Sequence, residues 1–165
     1  MGVIFPLLLL QLAVPVHLLG VLVGLAALGP LLLSIPAGML CDRYGDRPVL
    51  IACALVALVT SLLYVVAQSL WALALLQLVG GTARSTAWMA AQSYVSRVVT
   101  TAERAARMGQ FTFAANLSML VTPPLLGMWA ASYGASSAFF GMALWCLVLL
   151  AVVLRLPRYP SLNAV

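Results

Sequence analysis

The chain has 165 residues and a mass of 17.4 kDa, with 65% hydrophobic residues, 7% charged residues and a mean hydropathy of +1.16. Soluble domains run near about 45–50% apolar and about 25% charged, so a water-soluble globule of this composition would expose large apolar patches and aggregate. A soluble domain, a disordered segment, a nucleic-acid reader and a secreted disulfide scaffold are excluded together, and the solvent this composition suits is a lipid bilayer.

The net charge of +5 comes from eight arginines and no lysine, set against Asp42, Asp46 and Glu103. The arginines are too few and too scattered for a phosphate groove. The three cysteines, Cys41, Cys53 and Cys146, show no CxxC spacing. They fit neither a disulfide framework nor a zinc site. No cofactor is implied.

A helix needs about 20 residues to cross about 30 Å of hydrocarbon. The first apolar run, Met1 to about Val14, is too short for this. Five longer candidates follow: Leu19–Leu40, Val49–Gln68, Leu70–Val98, Met108–Ala131 and Ser136–Leu154. Polar separators divide them at Cys41–Pro48, Ser96–Arg107 and Ala131–Ser137. A polar tail, 157–165, closes the chain, and Pro157 and Pro160 stop the last helix.

Arg43 and Arg47 lie between the second and third spans, Arg97, Arg104 and Arg107 between the fourth and fifth, and Arg155 and Arg158 after the sixth. The connections near His17, Ser69 and Gly134 hold none. The positive-inside rule makes the arginine side cytoplasmic.

Gly38–Gly45 and Gly127–Gly134, 89 residues apart, share Gly, Met, Tyr and Gly in register. Both stretches close the middle span of a three-helix unit. An odd number of spans per unit inverts the second copy, as in inverted-repeat transporters. The same offset sets Met1 against Ala90, deep in the fourth span. The expectation is that the chain starts partway through its first helix, with about 20 residues of that span absent. The fold class expected is an all-α membrane protein. It is a six-span bundle of two inverted three-helix repeats with the first span incomplete, over residues 1–156.

The second-to-third loop resembles the signature of the major facilitator superfamily. Gly38, Asp42, Arg43, Gly45 and Arg47 fit it, and Pro48 departs from its final basic position. The resemblance covers all 165 residues in span order, loop lengths and charge placement. Two other family motifs are degenerate. Gln77 stands where the fourth span usually has an Arg. Ser118 and Thr122 stand where the fifth-span glycines would, while Pro123 and Gly127 fit. Members of the family have twelve spans in two halves, so the chain resembles one half. The clear signature favours the N-terminal half, and a C-terminal half stays open. The resemblance implies that Gly38, Asp42, Arg43, Gly45 and Arg47 form a cytoplasmic gate across the half–half interface. The alternative is a hairpin with solvated anchoring charges.

Arg84 lies near mid-membrane, about 20 Å along the fourth span. A central Arg costs about 2.5–3.5 kcal/mol on the insertion scale and needs a protein or aqueous environment. Trp88 and Gln92 follow at i+4 and i+8 on the same face. Either Arg84, Trp88 and Gln92 line a substrate cavity with Asn116 and Thr112 of the fifth span, or Arg84 fixes helix packing and Asn116 bonds between helices. Gly20, Gly24 and the run Gly80–Ala83 are expected to permit close helix approach. Pro30, Pro36, Pro123 and Pro124 are expected to kink their spans. Asp46 is expected to balance Arg47 or Arg43, and Glu103 to pair with Arg107.

The leading function is part of a secondary transporter moving a small solute by alternating access, incomplete alone. Its partners are the lipid bilayer, the solute, and a second six-helix half or a second copy; nucleic acid is not among them. A non-transporting membrane subunit and a half-size homodimeric transporter are the alternatives. No span holds an Asp or Glu, and the one His lies near the edge of the first. With so little to build an acid–base pair from, no enzyme is expected.

Overall fold

The computed structural model describes Phe5, residues 16–67 and residues 69–157. Besides Phe5, which is helical, these form five helices: α1 Val16–Tyr44, α2 Asp46–Val66, α3 Leu70–Val98, α4 Arg104–Tyr133 and α5 Ala135–Arg155. The start of the first expected span and the end of the polar tail lie outside the described residues.

Two of the expected loops shrink to single glycines. α1 runs on through Cys41–Tyr44, and only Gly45 separates it from α2. Only Gly134 separates α4 from α5. The reason is length. At 29 and 30 residues, α1 and α4 reach about 45 Å, beyond the hydrocarbon core. Their polar ends can therefore stay helical outside it. α2 and α5 have 21 residues each, close to one membrane thickness.

Both glycines have φ 85°, with ψ 160° at Gly45 and 154° at Gly134. This region is essentially reserved for glycine. Each donates its N–H four residues back, Gly45 to Cys41 O and Gly134 to Ala130 O, both at 2.9 Å. Each thus closes one helix and opens the next. A shift of 89 residues carries Asp46–Val66 onto Ala135–Arg155 end for end.

α2 packs between α3 and α5, α1 runs along α3, and α4 leans on α5 with a lighter contact to α3. Two cores result. At one end Tyr64 stacks on Phe139, with centroids 5.0 Å apart, and meets the edge of Phe5 at 5.6 Å. Leu22, Leu73, Ala130 and Ala138 complete that cluster. At the other end Cys41, Val49, Leu50, Cys53 and Ala90 pack together. The three cysteines are free and buried, as small hydrophobes.

Several polar groups in the bundle are satisfied within their own helix or across to a neighbour. Ser61 donates to Ala57 O at 2.7 Å and Thr60 to Val56 O at 2.9 Å. Tyr64 donates to Gln77 Oε1 at 2.8 Å, a buried bond between α2 and α3. In lipid such pairing is the alternative to an unsatisfied polar group in hydrocarbon. Gly80 faces Thr60, where an added Cβ would stand 3.7 Å from Oγ1. Gly20 and Gly24 do not behave as expected: nothing lies within 4 Å of a Cβ built there. Both are exposed on α1, and among the described residues no helix approaches them closely. α1 and α4 continue through their prolines as single helices.

The outer surface is apolar. Trp71 is 86% exposed, Ile35 77% and Met119 76%. In water such a surface would drive association; lipid tails are as apolar as these side chains. Among the described residues, three helices are long and apolar enough to cross a membrane: Asp46–Val66, Arg104–Tyr133 and Ser137–Arg155. α3 is not one of them. Gln77, Arg84 and Gln92 interrupt its apolar run, so its middle depends on protein or water for company.

Candidate functional site

Two sites were expected, one at the arginine-rich helix ends and one at the middle of α3. At the first, the end of α1, the start of α2 and the end of α3 converge. Arg97, in the last turn of α3, reaches Asp42 Oδ1 through Nη2 at 3.1 Å and Asp46 Oδ2 through Nε at 3.5 Å. Asp42 is largely exposed, whereas the Asp46 side chain is 4% exposed. Asp46 therefore does not balance Arg43 or Arg47, as its neighbours suggested. It turns inward to Arg97, and it also stands in the first turn of α2, where the helix dipole favours a carboxylate. Among the described residues its Oδ1 meets no hydrogen-bond donor.

Arg47 leaves the carboxylates altogether. It donates to Leu154 O at 2.7 Å and Val153 O at 3.5 Å, carbonyls in the last turn of α5; Val153 O also accepts the Leu156 N–H at 3.2 Å. Tyr94 adds a weak bond to Pro157 O at 3.4 Å. Arg43 lies exposed over the Tyr44 ring, 5.4 Å from its centroid. Gly38 is half-buried and Gly45 forms the turn. Of the expected gate residues, Asp42 and Arg47 join Asp46 and Arg97 in a clamp that ties α1, α2, α3 and α5 at one end, while Gly38 and Arg43 make none of its contacts between helices. Burial, reinforced by Asp46 and Asp42, holds the nearby Cys41 thiol above its ordinary pKa, with Arg97 opposing. Glu103 and Arg107 do not pair as expected: Arg107 turns to Gln110 Oε1 at 3.3 Å.

Arg97 is the member that sequence reading missed. In the sequence its charge marks topology only, because it lies 55 residues from Asp42. Only the packing of α1 along α3 brings them together. The one available signal was that all three residues sit on the arginine-rich side.

The second site is built on α3. Arg84 stands fourteen residues from either end of the helix. Leu73, Gln77, Gly80 and Gly81 are buried on the side that, one turn further, carries Arg84 and Trp88. Arg84 is exposed, Trp88 is 43% exposed and Gln92 is half-buried. That face therefore opens at the middle of the helix. Trp88 meets Phe111 of α4, with centroids 5.1 Å apart and ring planes at 36°. Asn116 and Thr112 are exposed on α4. This aromatic pair joins the two helices on this side, and the sequence alone does not bring Phe111 to Trp88. Among the described residues, no group of three His, Cys, Asp or Glu is placed to hold a metal.

A family model for the Major Facilitator Superfamily matches residues 1–164. The class B tetracycline resistance protein of Escherichia coli is 31% identical over 135 residues, covering 82% of this chain and 33% of that protein. The chain spans about a third of the length of that relative. With its apolar helices and this match, the chain is a multi-pass integral membrane protein belonging to the Major Facilitator Superfamily of transporters.

Proposed function

We propose that the chain forms one six-helix half, the N-terminal one, of a secondary transporter that moves a small solute by alternating access. The solute binds against the open face of α3 and α4 at Arg84, Trp88, Gln92 and Asn116. A second half, or a second copy of the chain, supplies the opposite wall. The observation that carries this reading is the exposure of Arg84 at the midpoint of α3. A mid-membrane guanidinium facing lipid costs about 2.5–3.5 kcal/mol or more, so the face that holds it belongs to a cavity or an interface.

The clamp is the cytoplasmic gate in this reading. Gly38 and Gly45 shape its backbone, and Asp42, Arg43 and Arg47 carry its charge. It keeps four helix ends together so that the half moves as one body. The matched glycine turns support two inverted repeats, with the arginine-rich turn in the cytoplasm and the Gly134 turn outside the inner membrane.

The test is reconstitution of the full-length protein into vesicles at a measured oligomeric state, with a panel of labelled metabolites and drugs. Tetracycline is included because of the relative's name. Saturable uptake is expected, and Arg84→Ala is expected to abolish solute binding while the protein still inserts. Full binding by that variant returns Arg84 to a packing role. Saturable uptake by a demonstrated monomer of this chain alone contradicts the half-transporter reading.

A further inference from the structure

We infer that the solute site of this protein takes a planar aromatic anion, with Arg84 holding the acid group and Trp88, backed by Phe111, holding the ring. The inference rests on the transporter reading above and gives it a substrate class.

Charge comes first. Among the described residues, every other charged side chain in a helix lies within a turn of a helix end: Asp42, Arg43, Asp46, Arg47, Arg97, Arg104, Arg107 and Arg155. Arg84 alone stands in the middle, and no carboxylate shares its depth among the described residues. Away from bulk water its field is weakly screened. An anion is drawn to that depth and a cation is repelled from it. The guanidinium is also planar and suits a two-oxygen acid group through paired N–H donors.

Shape comes second. One turn beyond Arg84 the indole of Trp88 is 43% exposed. Its ring is braced by half-buried Phe111 across the α3–α4 boundary. A braced, partly open indole loses little side-chain entropy on binding and favours stacking or edge contact with another ring. The spacing matters too. A residue four positions along a helix stands about 6 Å further on the same face, the distance between an acid group and the far side of an attached ring. Gln92, one turn further on the same face of α3, offers an amide group for a ring substituent. The other aromatic cluster does not compete, because Tyr64, Phe5 and Phe139 are buried to 1% or less.

Binding of tritiated 1-naphthoate to the full-length protein in lipid nanodiscs tests this. The competitors are 1-naphthamide, cyclohexanecarboxylate and 1-naphthylmethylammonium, which remove the charge, remove the aromatic ring, and reverse the charge. Naphthoate is expected to bind saturably and about tenfold or more tighter than each. Arg84→Gln is expected to level naphthoate with the amide, and Trp88→Leu to level it with cyclohexanecarboxylate. Arg84→Lys is expected to keep the preference for the anion, which separates charge recognition from misfolding. A wild-type protein that prefers the ammonium or the amide overturns the inference. So does a ranking unchanged in both Arg84→Gln and Trp88→Leu. Saturable uptake of another solute without naphthoate binding overturns the substrate class and leaves transport standing. Naphthoate binding without saturable uptake of any solute overturns transport and leaves the anion site.

Discussion

The turns at Gly45 and Gly134 share one backbone and differ in almost everything attached to it. Both glycines have φ 85°, both cap a long helix, and both start a helix of 21 residues. Around Gly45 stand Asp42, Arg43, Asp46 and Arg47; around Gly134 there is no charge. The geometry of the corner therefore belongs to the glycine and its helix cap. The charges belong to one corner alone, where they meet Arg97 and the end of α5. Architecture and clamp are separable, and substitutions can pull them apart.

The largest effect is expected at the clamp. Arg97→Ala strands Asp46, whose side chain is 4% exposed. An uncompensated buried charge costs about 3–5 kcal/mol. Thermal unfolding in detergent should show a large loss, and adding Asp46→Asn should recover most of it. No recovery would mean that Arg97 acts through something other than the buried carboxylate.

Next come the corners themselves. Gly45→Ala and Gly134→Ala each force a side chain into a backbone region that costs about 1–3 kcal/mol. At Gly134 an added Cβ meets nothing within 4 Å, so the penalty there is backbone strain alone. Similar losses at the two sites would match the shared geometry. A loss only at Gly45 would mean that the charges, not the turn, set the corner.

The smallest effect is expected at Asp42. Its side chain is 61% exposed, so its 3.1 Å contact with Arg97 is water-screened. Asp42→Ala should cost about 0.2–1 kcal/mol, less in high salt. A loss as large as that of Arg97→Ala would move the weight of the clamp from Asp46 to Asp42.

The helices and the places of the corners were legible because local chemistry writes them, whereas the tightness of the corners, one glycine each, was not. α3 begins and ends at Leu70 and Val98, where the apolar run gives way to polar flanks. Gly45 and Gly134 stood out through the shared Gly-Met-Tyr-Gly pattern. What joins distant helices was not legible. Asp46 sits beside Arg47 in the chain, yet its partner is Arg97, while Arg47 reaches the last turn of α5. Neighbours in sequence point different ways around a helix, and the packing of α1 on α3 and α2 on α5 decides which charges meet. The same holds for Trp88 and Phe111, which become a pair only because α4 returns beside α3.

The central claim is that two corners of like geometry lie on opposite sides of the membrane, with the charged one in the cytoplasm. Single cysteines at Tyr44, Thr101 and Ser132, in a background without Cys41, Cys53 and Cys146, test it directly in intact cells with an impermeant thiol reagent. The account predicts labelling at position 132 and none at 44 or 101 until the membrane is opened. Labelling at 44 and 101 with protection of 132 would contradict the orientation and the gate. Labelling of all three, or of none, before the membrane is opened would contradict the inverted repeat.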